Sequence, residues 1–289
     1  MQLPNRSVHQ EPDAATVPVA VVQFAPETDP SANLVTLREH VRTAAEAGAR
    51  VVLAPEYSMF AVPRLDERVL AIAEPLDGPF TTGLGALAAE FGVFLVAGVV
   101  ELPAPGARRI SNTLVAHDPG GAVVAVYRKA HLYDAFGQLE SDVVAAGPLA
   151  EPATFAVDGV IFGMQTCFDL RFPEGCRRVA VAGAHVLLLP AQWIPGPAKV
   201  DQWTTLLRAR AIENTIYVAA ADQCAPLGAG ASMIVDPAGA VLAELGDGPG
   251  VLTATIDPAQ LVKVRAANPS LSLRRFAVTE PVSPGAAAE

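Results

Sequence analysis

The chain has 289 residues, of which 51% are hydrophobic and 17% are charged, and its formal net charge is −10 at pH 7. This composition is typical of a compact globular protein and excludes a mainly disordered one. The negative balance disfavours nucleic acids and anionic membranes as partners, because both bind clustered lysines and arginines. We therefore expect a small-molecule partner.

The two ends of the sequence differ from its middle. Residues 1–16 are polar and lack the apolar segment of a signal peptide, which predicts a flexible tail and no secretion. Residues 17–276 are expected to form one domain, because no linker or internal repeat divides them, with a second tail at 277–289. No apolar run is long and uninterrupted enough to cross a bilayer.

The cysteines and histidines show no pattern of a disulfide framework or a metal site. The three cysteines, Cys167, Cys176 and Cys224, cannot all pair and match no CxxC spacing, which favours a reducing cytoplasm. The histidines are scattered, without a second ligand at metal-binding spacing. We expect neither a metal ion nor another cofactor.

The first hundred residues alternate strands with helices. Apolar runs predict three strands, at Val19–Phe24, Val51–Leu53 and Val93–Val100. Two helices lie between them, one from an N-cap at Ser31 to a terminal glycine at Gly48 and one over Phe80–Phe91.

The rest of the chain adds hairpins to this alternation. Turn signals between short apolar runs predict three hairpins, at Thr113–His117 with Ala122–Tyr127, Thr154–Val157 with Val160–Thr166, and Ser232–Val235 with Ala240–Glu244. Further strands are predicted at His185–Leu189, Ile216–Ala221 and Val251–Ile256, and helices at Pro173–Ala182, Lys199–Glu213 and 257–264. Tight turns give antiparallel pairs, so we expect an α/β domain with two mixed sheets and outer helices.

Three predicted strands end close to a residue with useful chemistry: Glu56, Lys129 and Cys167. Strand ends in layered α/β folds converge on one rim. A thiol nucleophile needs a base such as a carboxylate, and the oxyanion formed by its attack needs a cation or N–H donors. Each residue alone also has an ordinary explanation: a solvated acid, a surface lysine and a small buried hydrophobe.

The position of Cys167 favours the nucleophile. It lies between a strand and a helix start at Phe172-Pro173-Glu174, where backbone N–H groups and the helix dipole stabilise a thiolate. We therefore expect a lowered pKa for this thiol.

Three segments resemble the signature blocks of the nitrilase superfamily of carbon–nitrogen hydrolases, in that family's order: Leu53–Glu56, Tyr127–Leu132 and Thr166–Glu174. The likeness continues at 136–142, 207–214 and 232–239 and spans roughly residues 17–276, and ordered blocks are far more specific than one motif. The resemblance implies an α-β-β-α sandwich that forms a homodimer or a higher homo-oligomer.

The resemblance also implies a role for each matching residue. Glu56 is the general base, Lys129 stabilises the tetrahedral intermediate and Cys167 is the nucleophile that forms a thioester. The backbone N–H of Phe168 completes the oxyanion hole, and Glu140 orients the lysine. Two carboxylates near one site oppose each other's ionisation, so we expect a raised pKa for Glu56 or Glu140.

The residues after the nucleophile favour an amide substrate. Phe168-Asp169 is similar to the amidase branches, whereas nitrile-converting branches carry Trp-Glu there. The most similar group is that of ω-amidases and deaminated-glutathione amidases, in which the residue matching Arg171 binds a substrate carboxylate. An ion pair of Arg171 with Glu174 or Asp169 is the alternative, and guanidinium suits both roles.

Two further residues, Gln192 and Trp193, are expected to line the mouth of the pocket. Ala231 occupies a position that is often histidine in this group, which leaves the substrate open. The prediction is thus hydrolysis of the amide C–N bond of a small carboxylate-bearing molecule, through a thioester and with release of ammonia. Alternatives are an N-carbamoyl amino acid hydrolase, a nitrilase, or a binding protein that retains the fold without its chemistry.

Overall fold

Twelve strands form two six-stranded sheets in the computed structural model, which describes residues 15–279. The predicted tails, 1–16 and 277–289, lie almost entirely outside these residues. The strands are β1 (Val17–Gln23), β2 (Val51–Leu53), β3 (Phe94–Glu101), β4 (Ser111–His117), β5 (Val123–Arg128), β6 (Thr154–Val157), β7 (Val160–Met164), β8 (Val186–Ala191), β9 (Tyr217–Asp222), β10 (Met233–Val235), β11 (Val241–Glu244) and β12 (Gly250–Ile256).

Six α-helices flank the sheets: α1 (Pro30–Glu46), α2 (Arg68–Ile72), α3 (Pro79–Phe91), α4 (Pro173–Val181), α5 (Lys199–Asn214) and α6 (Pro258–Ala267). Between residues 15 and 279, every helix is too short or too polar to cross a membrane.

Both sheets are mixed, as predicted. The first has the order β12-β1-β2-β3-β4-β5 and the second β11-β10-β9-β8-β7-β6. Three neighbouring strands run parallel in each sheet: β1, β2 and β3 in the first, and β7, β8 and β9 in the second. The remaining strand pairs are antiparallel. The crossovers between parallel strands carry α-helices, and every antiparallel pair except β1 with β12 joins strands that follow each other in the chain.

The sheets pack against each other through an apolar layer that includes Val21, Phe162 and Leu188. Helices α1 and α3 cover the outer face of the first sheet. Helices α4 and α5 cover the outer face of the second. Inner strands such as β2, β8 and β9 are buried on both faces, which explains their nearly continuous apolar sequences. The result is the predicted α-β-β-α sandwich.

Several element boundaries differ from the prediction. The N-cap of α1 is Asp29, whose carboxylate accepts the backbone N–H groups of Ser31 and Ala32, so the expected cap at Ser31 is wrong. Strand β4 begins at Ser111, two residues before the predicted start, and thereby includes Asn112. The short helix α2 and a 3-10 turn at Glu140–Asp142 were not expected.

The largest difference lies at the cysteine. Strand β7 ends at Met164, not at Thr166, and Cys167–Arg171 form one 3-10 helix before α4 begins at Pro173. Cys167 therefore begins a short 3-10 helix rather than preceding the α-helix directly.

Candidate active site

A buried ion-pair cluster joins three of the predicted residues. Lys129 Nζ lies 2.9 Å from Oε1 of Glu56 and 2.9 Å from Oε2 of Glu140. Only 2% of the lysine side chain and 1% of the Glu56 side chain are exposed. The fold thus brings residues 56, 129 and 140 into direct contact, and water does not screen their charges.

Other polar groups also donate hydrogen bonds to the two carboxylates. Asn112 Nδ2 donates to Oε1 of Glu56 at 2.7 Å and to Oε1 of Glu140 at 3.1 Å. The Tyr57 hydroxyl donates to Glu140 at 2.9 Å. The backbone N–H of Gln192 donates to Oε2 of Glu56 at 2.6 Å. These bonds fix both carboxylates, and sequence reasoning missed Asn112 and Tyr57. A polar residue within an apolar strand was the only available signal for Asn112.

Close backbone packing holds Glu56 in place. The loop after β2 lies against β3, where the N–H of Gly98 donates to Pro55 O at 3.2 Å. A Cβ atom on Gly98 would lie 2.8 Å from Glu56 Cα and 2.6 Å from Tyr57 N. The Gln223 side chain donates to the carbonyl of Glu56 at 2.8 Å. Only glycine permits this close approach at position 98.

Cys167 is also buried and lines a cavity together with Glu56 and Lys129. Its backbone angle φ of 47° is left-handed. This conformation is costly for a residue other than glycine, and such strain is concentrated at functional sites. The thiol Sγ lies 3.7 Å from the carbonyl oxygen of Gln192. The Cys167 turn is therefore held in a conformation that it would not adopt without the surrounding fold.

Asp169 holds the Cys167 turn against the end of β5. Its carboxylate accepts the backbone N–H of Thr166 at 3.0 Å and that of His131 at 3.0 Å. It also accepts the Tyr127 hydroxyl at 2.7 Å and pairs with Nδ1 of His131 at 2.7 Å. These contacts tie the Cys167 turn to the segment that carries Lys129.

The electrostatics of the thiol contradict the expected thiolate. Burial raises the pKa of Cys167 well above its ordinary value, and the charge of Glu56 raises it further, while Lys129 only partly opposes this. Desolvation disfavours a thiolate in such a site. Cys167 therefore rests as a neutral thiol, because burial and the nearby charges of Glu56 and Glu140 disfavour the thiolate.

The expected raised pKa of a glutamate is also wrong for Glu140. Burial alone would raise its pKa, but the charge of Lys129 and the hydrogen bonds from Tyr133, Lys129 and Asn112 lower it overall. Burial likewise would lower the pKa of Lys129, yet Glu140 and Glu56 raise it well above its ordinary value. Lys129 is charged at neutral pH and Glu140 is ionised.

A cavity of about 320 Å³ lies over this cluster and is lined by Glu56, Lys129, Glu140, Cys167, Gln192 and Trp193, among others. Its volume lies at the lower end of small-molecule sites. The predicted pocket residues Gln192 and Trp193 thus reach the cavity. The side-chain amide of Gln192 donates to Val62 O at 2.9 Å, so it also anchors the cavity wall.

Arg171 and Phe168 stand outside the cavity lining. Arg171 donates to Oε1 of Gln202 at 2.7 Å, and its guanidinium lies 4.7 Å from the ring centroid of Trp193. Within residues 15–279 it forms no ion pair with Glu174 or Asp169. The Phe168 ring packs edge-on against Tyr133 with centroids 5.1 Å apart.

This arrangement, a buried thiol beside a carboxylate and a lysine on a four-layer sandwich, defines a class of cysteine-dependent hydrolases. The family of carbon-nitrogen hydrolases matches residues 18–266 of the chain. The chain belongs to that family and is an enzyme that hydrolyses the C–N bond of amides. The family predicted from the three signature segments is thereby confirmed.

Individual relatives agree with this assignment. A deaminated glutathione amidase of Escherichia coli O157:H7 is 36% identical over 260 residues, which cover 90% of this chain and 97% of that protein. The Homo sapiens protein of the same name is 38% identical over 272 residues, covering 89% of this chain and 82% of that protein.

A solved structure also matches. A mutant of an amidase from Nesterenkonia AN1, of the nitrilase superfamily, has a TM-score of 0.76 and 28% identity, over 92% of this chain and 97% of that chain. Another structure of that amidase shows acrylamide joined to its active-site cysteine by Michael addition.

Proposed function

We propose that the chain hydrolyses the amide of a small carboxylate-bearing molecule through a thioester on Cys167, and that ammonia is released. The observation that carries this proposal is the contact of Lys129 with Glu56 and Glu140 in the cavity that Cys167 also lines. Relatives named as amidases support the amide as substrate.

The first step is attack of the Cys167 sulfur on the amide carbonyl carbon. The raised pKa of the thiol means that its proton must leave during the attack, and Glu56 is the carboxylate placed to take it. The S–C bond forms, and the carbonyl oxygen becomes an oxyanion. Lys129, which is charged, and the backbone N–H of Phe168 stabilise this oxyanion.

The intermediate then collapses with cleavage of the C–N bond. Glu56 returns its proton to the departing nitrogen, and ammonia leaves. Water next attacks the thioester while Glu56 takes a proton from it. As the C–S bond breaks, Glu56 gives this proton to the departing sulfur, which yields a carboxylic acid, the thiol and an ionised Glu56. Oε1 of Glu140 accepts a hydrogen bond from Lys129 Nζ at 3.2 Å, in addition to the contact through Oε2, and Glu140 thereby keeps the cation in position throughout the reaction.

The test follows ammonia release and the intact mass of the acid-quenched protein. The panel contains α-ketoglutaramate, deaminated glutathione, an N-carbamoyl amino acid and a simple nitrile, each with the parent chain and Cys167→Ala. A transient adduct with a dicarboxylic monoamide, absent from Cys167→Ala, is expected. If only the carbamoyl compound or the nitrile were turned over, that compound class and not the amide would be the substrate. No adduct and no ammonia from any compound would favour a binding role.

The proposal includes a cytoplasmic homodimer or a higher homo-oligomer. The family resemblance implies the oligomer, and the three free, buried cysteines of the structure fit a reducing compartment. Analytical ultracentrifugation of the purified chain tests the oligomer, and a purely monomeric species at micromolar concentration would contradict it.

A further inference from the structure

A second lysine lines the cavity, at the first residue of α5. Lys199 is only 7% exposed, and it lies on the cavity wall together with Cys167. Its Nζ is 3.2 Å from the Tyr133 hydroxyl oxygen. The same Nζ lies 4.6 Å from the ring centroid of Phe136 and 5.0 Å from that of Trp193. Aromatic faces stabilise a cation but do not neutralise it.

The charge of Lys199 is not balanced by a paired acid. Lys129 contacts two carboxylates, whereas no ion pair of Lys199 occurs within residues 15–279. Burial lowers the pKa of Lys199, and the nearby charge of Arg171 lowers it further. A buried cation without a counter-ion is costly, and an anionic ligand would remove that cost.

Arg171, the cation expected to bind a substrate carboxylate, is placed differently. Its guanidinium stacks on Trp193 and donates to Gln202, and it does not line the cavity. Arg171 and Lys199 thus both place positive charge near the Trp193 ring, but Lys199 lines the cavity and Arg171 does not.

We infer that Lys199, assisted by the Tyr133 hydroxyl, binds the carboxylate of the substrate. This inference rests on the proposed function, because it names the group that selects among amides. Burial raises the pKa of Tyr133, so its hydroxyl keeps its proton and can donate to a carboxylate oxygen. The preferred ligands are monoamides of dicarboxylic acids, whose carboxylate meets Lys199 while the amide meets Cys167.

The test compares two amides of equal length, succinamate and butyramide, which differ in the carboxylate. The measured quantity is the kcat/KM for succinamate divided by the kcat/KM for butyramide. In Lys199→Met the ratio is expected to fall at least about tenfold, as for loss of a charge-assisted hydrogen bond, chiefly through the KM of succinamate. Lys199→Arg should keep most of the ratio, because guanidinium also binds carboxylates. Lys263→Met, an exposed lysine on α6, is the matched control.

Two further variants sharpen the result. Lys199→Glu should reverse the preference and favour 4-aminobutyramide, whose ammonium group replaces the carboxylate. Arg171→Met should lower both kcat/KM values by a similar factor, since Arg171 supports Trp193 from outside the cavity. A ratio that stays unchanged in Lys199→Met but collapses in Arg171→Met would overturn the inference.

A binding measurement separates this inference from the proposed reaction. Succinate, which is not hydrolysed, should protect Cys167 of the parent chain from alkylation by iodoacetamide, as read by peptide mass. The protecting concentration should rise about tenfold or more in Lys199→Met. If the parent chain hydrolyses neither amide but shows this protection, the anion site stands and the proposed reaction fails. Equal protection of the parent and Lys199→Met would refute the anion site.

Discussion

Lys129 and Glu56 form an ion pair of 2.9 Å in which both side chains are almost fully buried. Such a pair is costly to break from one side, because the remaining charge has no water to replace its partner. The same contact that orients the proposed catalytic groups thus also affects the stability of the fold.

We predict that Lys129→Met removes activity and lowers the free energy of unfolding by about 3–5 kcal/mol, because Glu56 and Glu140 remain buried without their cation. Urea unfolding measures the change. Arg42→Met is the control: Arg42 pairs with Glu46 at 2.9 Å on the exposed face of α1, and exposed pairs contribute little to stability because water screens them. Equal losses in the two variants would contradict this account.

A second prediction concerns the thiol itself. Burial and the charge of Glu56 raise the pKa of Cys167, so Glu56→Gln should lower that pKa while removing the proposed general base. A larger share of thiolate at a given pH is expected together with loss of amide hydrolysis. The ultraviolet absorbance of the thiolate, titrated against pH with Cys167→Ala subtracted, measures the shift.

The direction of the titration follows from burial. In the parent chain the absorbance should rise only above the ordinary range of a cysteine, and the curve of Glu56→Gln should lie at lower pH. A curve for Glu56→Gln at higher pH would show that the carboxylate does not oppose the thiolate.

A third prediction concerns the close approach of β3 to Glu56. A Cβ atom on Gly98 would lie 2.8 Å from Glu56 Cα, so Gly98→Ala must shift the backbone that carries Glu56. We expect a loss of about 1–3 kcal/mol in unfolding free energy and a lower kcat. Gly246→Ala is the control, because a Cβ there meets no atom within 4 Å. A Gly98→Ala protein with normal kcat would show that Glu56 tolerates the shift.

A fourth prediction concerns Asp222, which is fully buried behind the cavity wall. It accepts the N–H of Trp193 at 2.7 Å and that of Ala229 at 3.0 Å. Burial raises the pKa of Asp222 well above its ordinary value, and these N–H donors oppose that only in part. Because the pKa of Asp222 is higher in the folded chain than in the unfolded one, this carboxyl contributes stability at low pH. That contribution is lost as the pH rises from about 4, the ordinary pKa, through the pKa in the folded chain.

Asp222→Asn cannot ionise, so its unfolding free energy relative to the parent should increase as the pH rises over this window. Thermal or urea unfolding at several pH values measures the difference. A difference that decreases with pH would mean that the N–H donors hold the ionised form.

The prediction from sequence succeeded where neighbours along the chain carry the information. Two mixed sheets follow from apolar runs separated by tight turns, and the family follows from three short segments around Glu56, Lys129 and Cys167. Boundaries were less accurate: β7 ends two residues early, and a 3-10 helix carries the cysteine, because burial and tertiary hydrogen bonds decide where a strand stops.

Contacts between distant segments could not be predicted. The oxygen atoms of Glu56 accept from Asn112, 56 residues away, and from the N–H of Gln192, 136 residues away. The local propensity of a segment depends on its own residues and does not describe contacts between residues so far apart in the chain. For the same reason the sequence indicated Arg171 as the cation for a carboxylate, whereas the folded chain places Lys199 on the cavity wall.

By itself, the sequence determined the strand pattern and the family, and it indicated Glu56, Lys129 and Cys167 as the candidate base, cation and nucleophile, since each inference rests on side-chain type and short spacing. Only the tertiary structure decided that the Cys167 thiol is neutral and that Lys199 faces the cavity. Both depend on desolvation and on charges from remote segments, which exist only after the two sheets pack together.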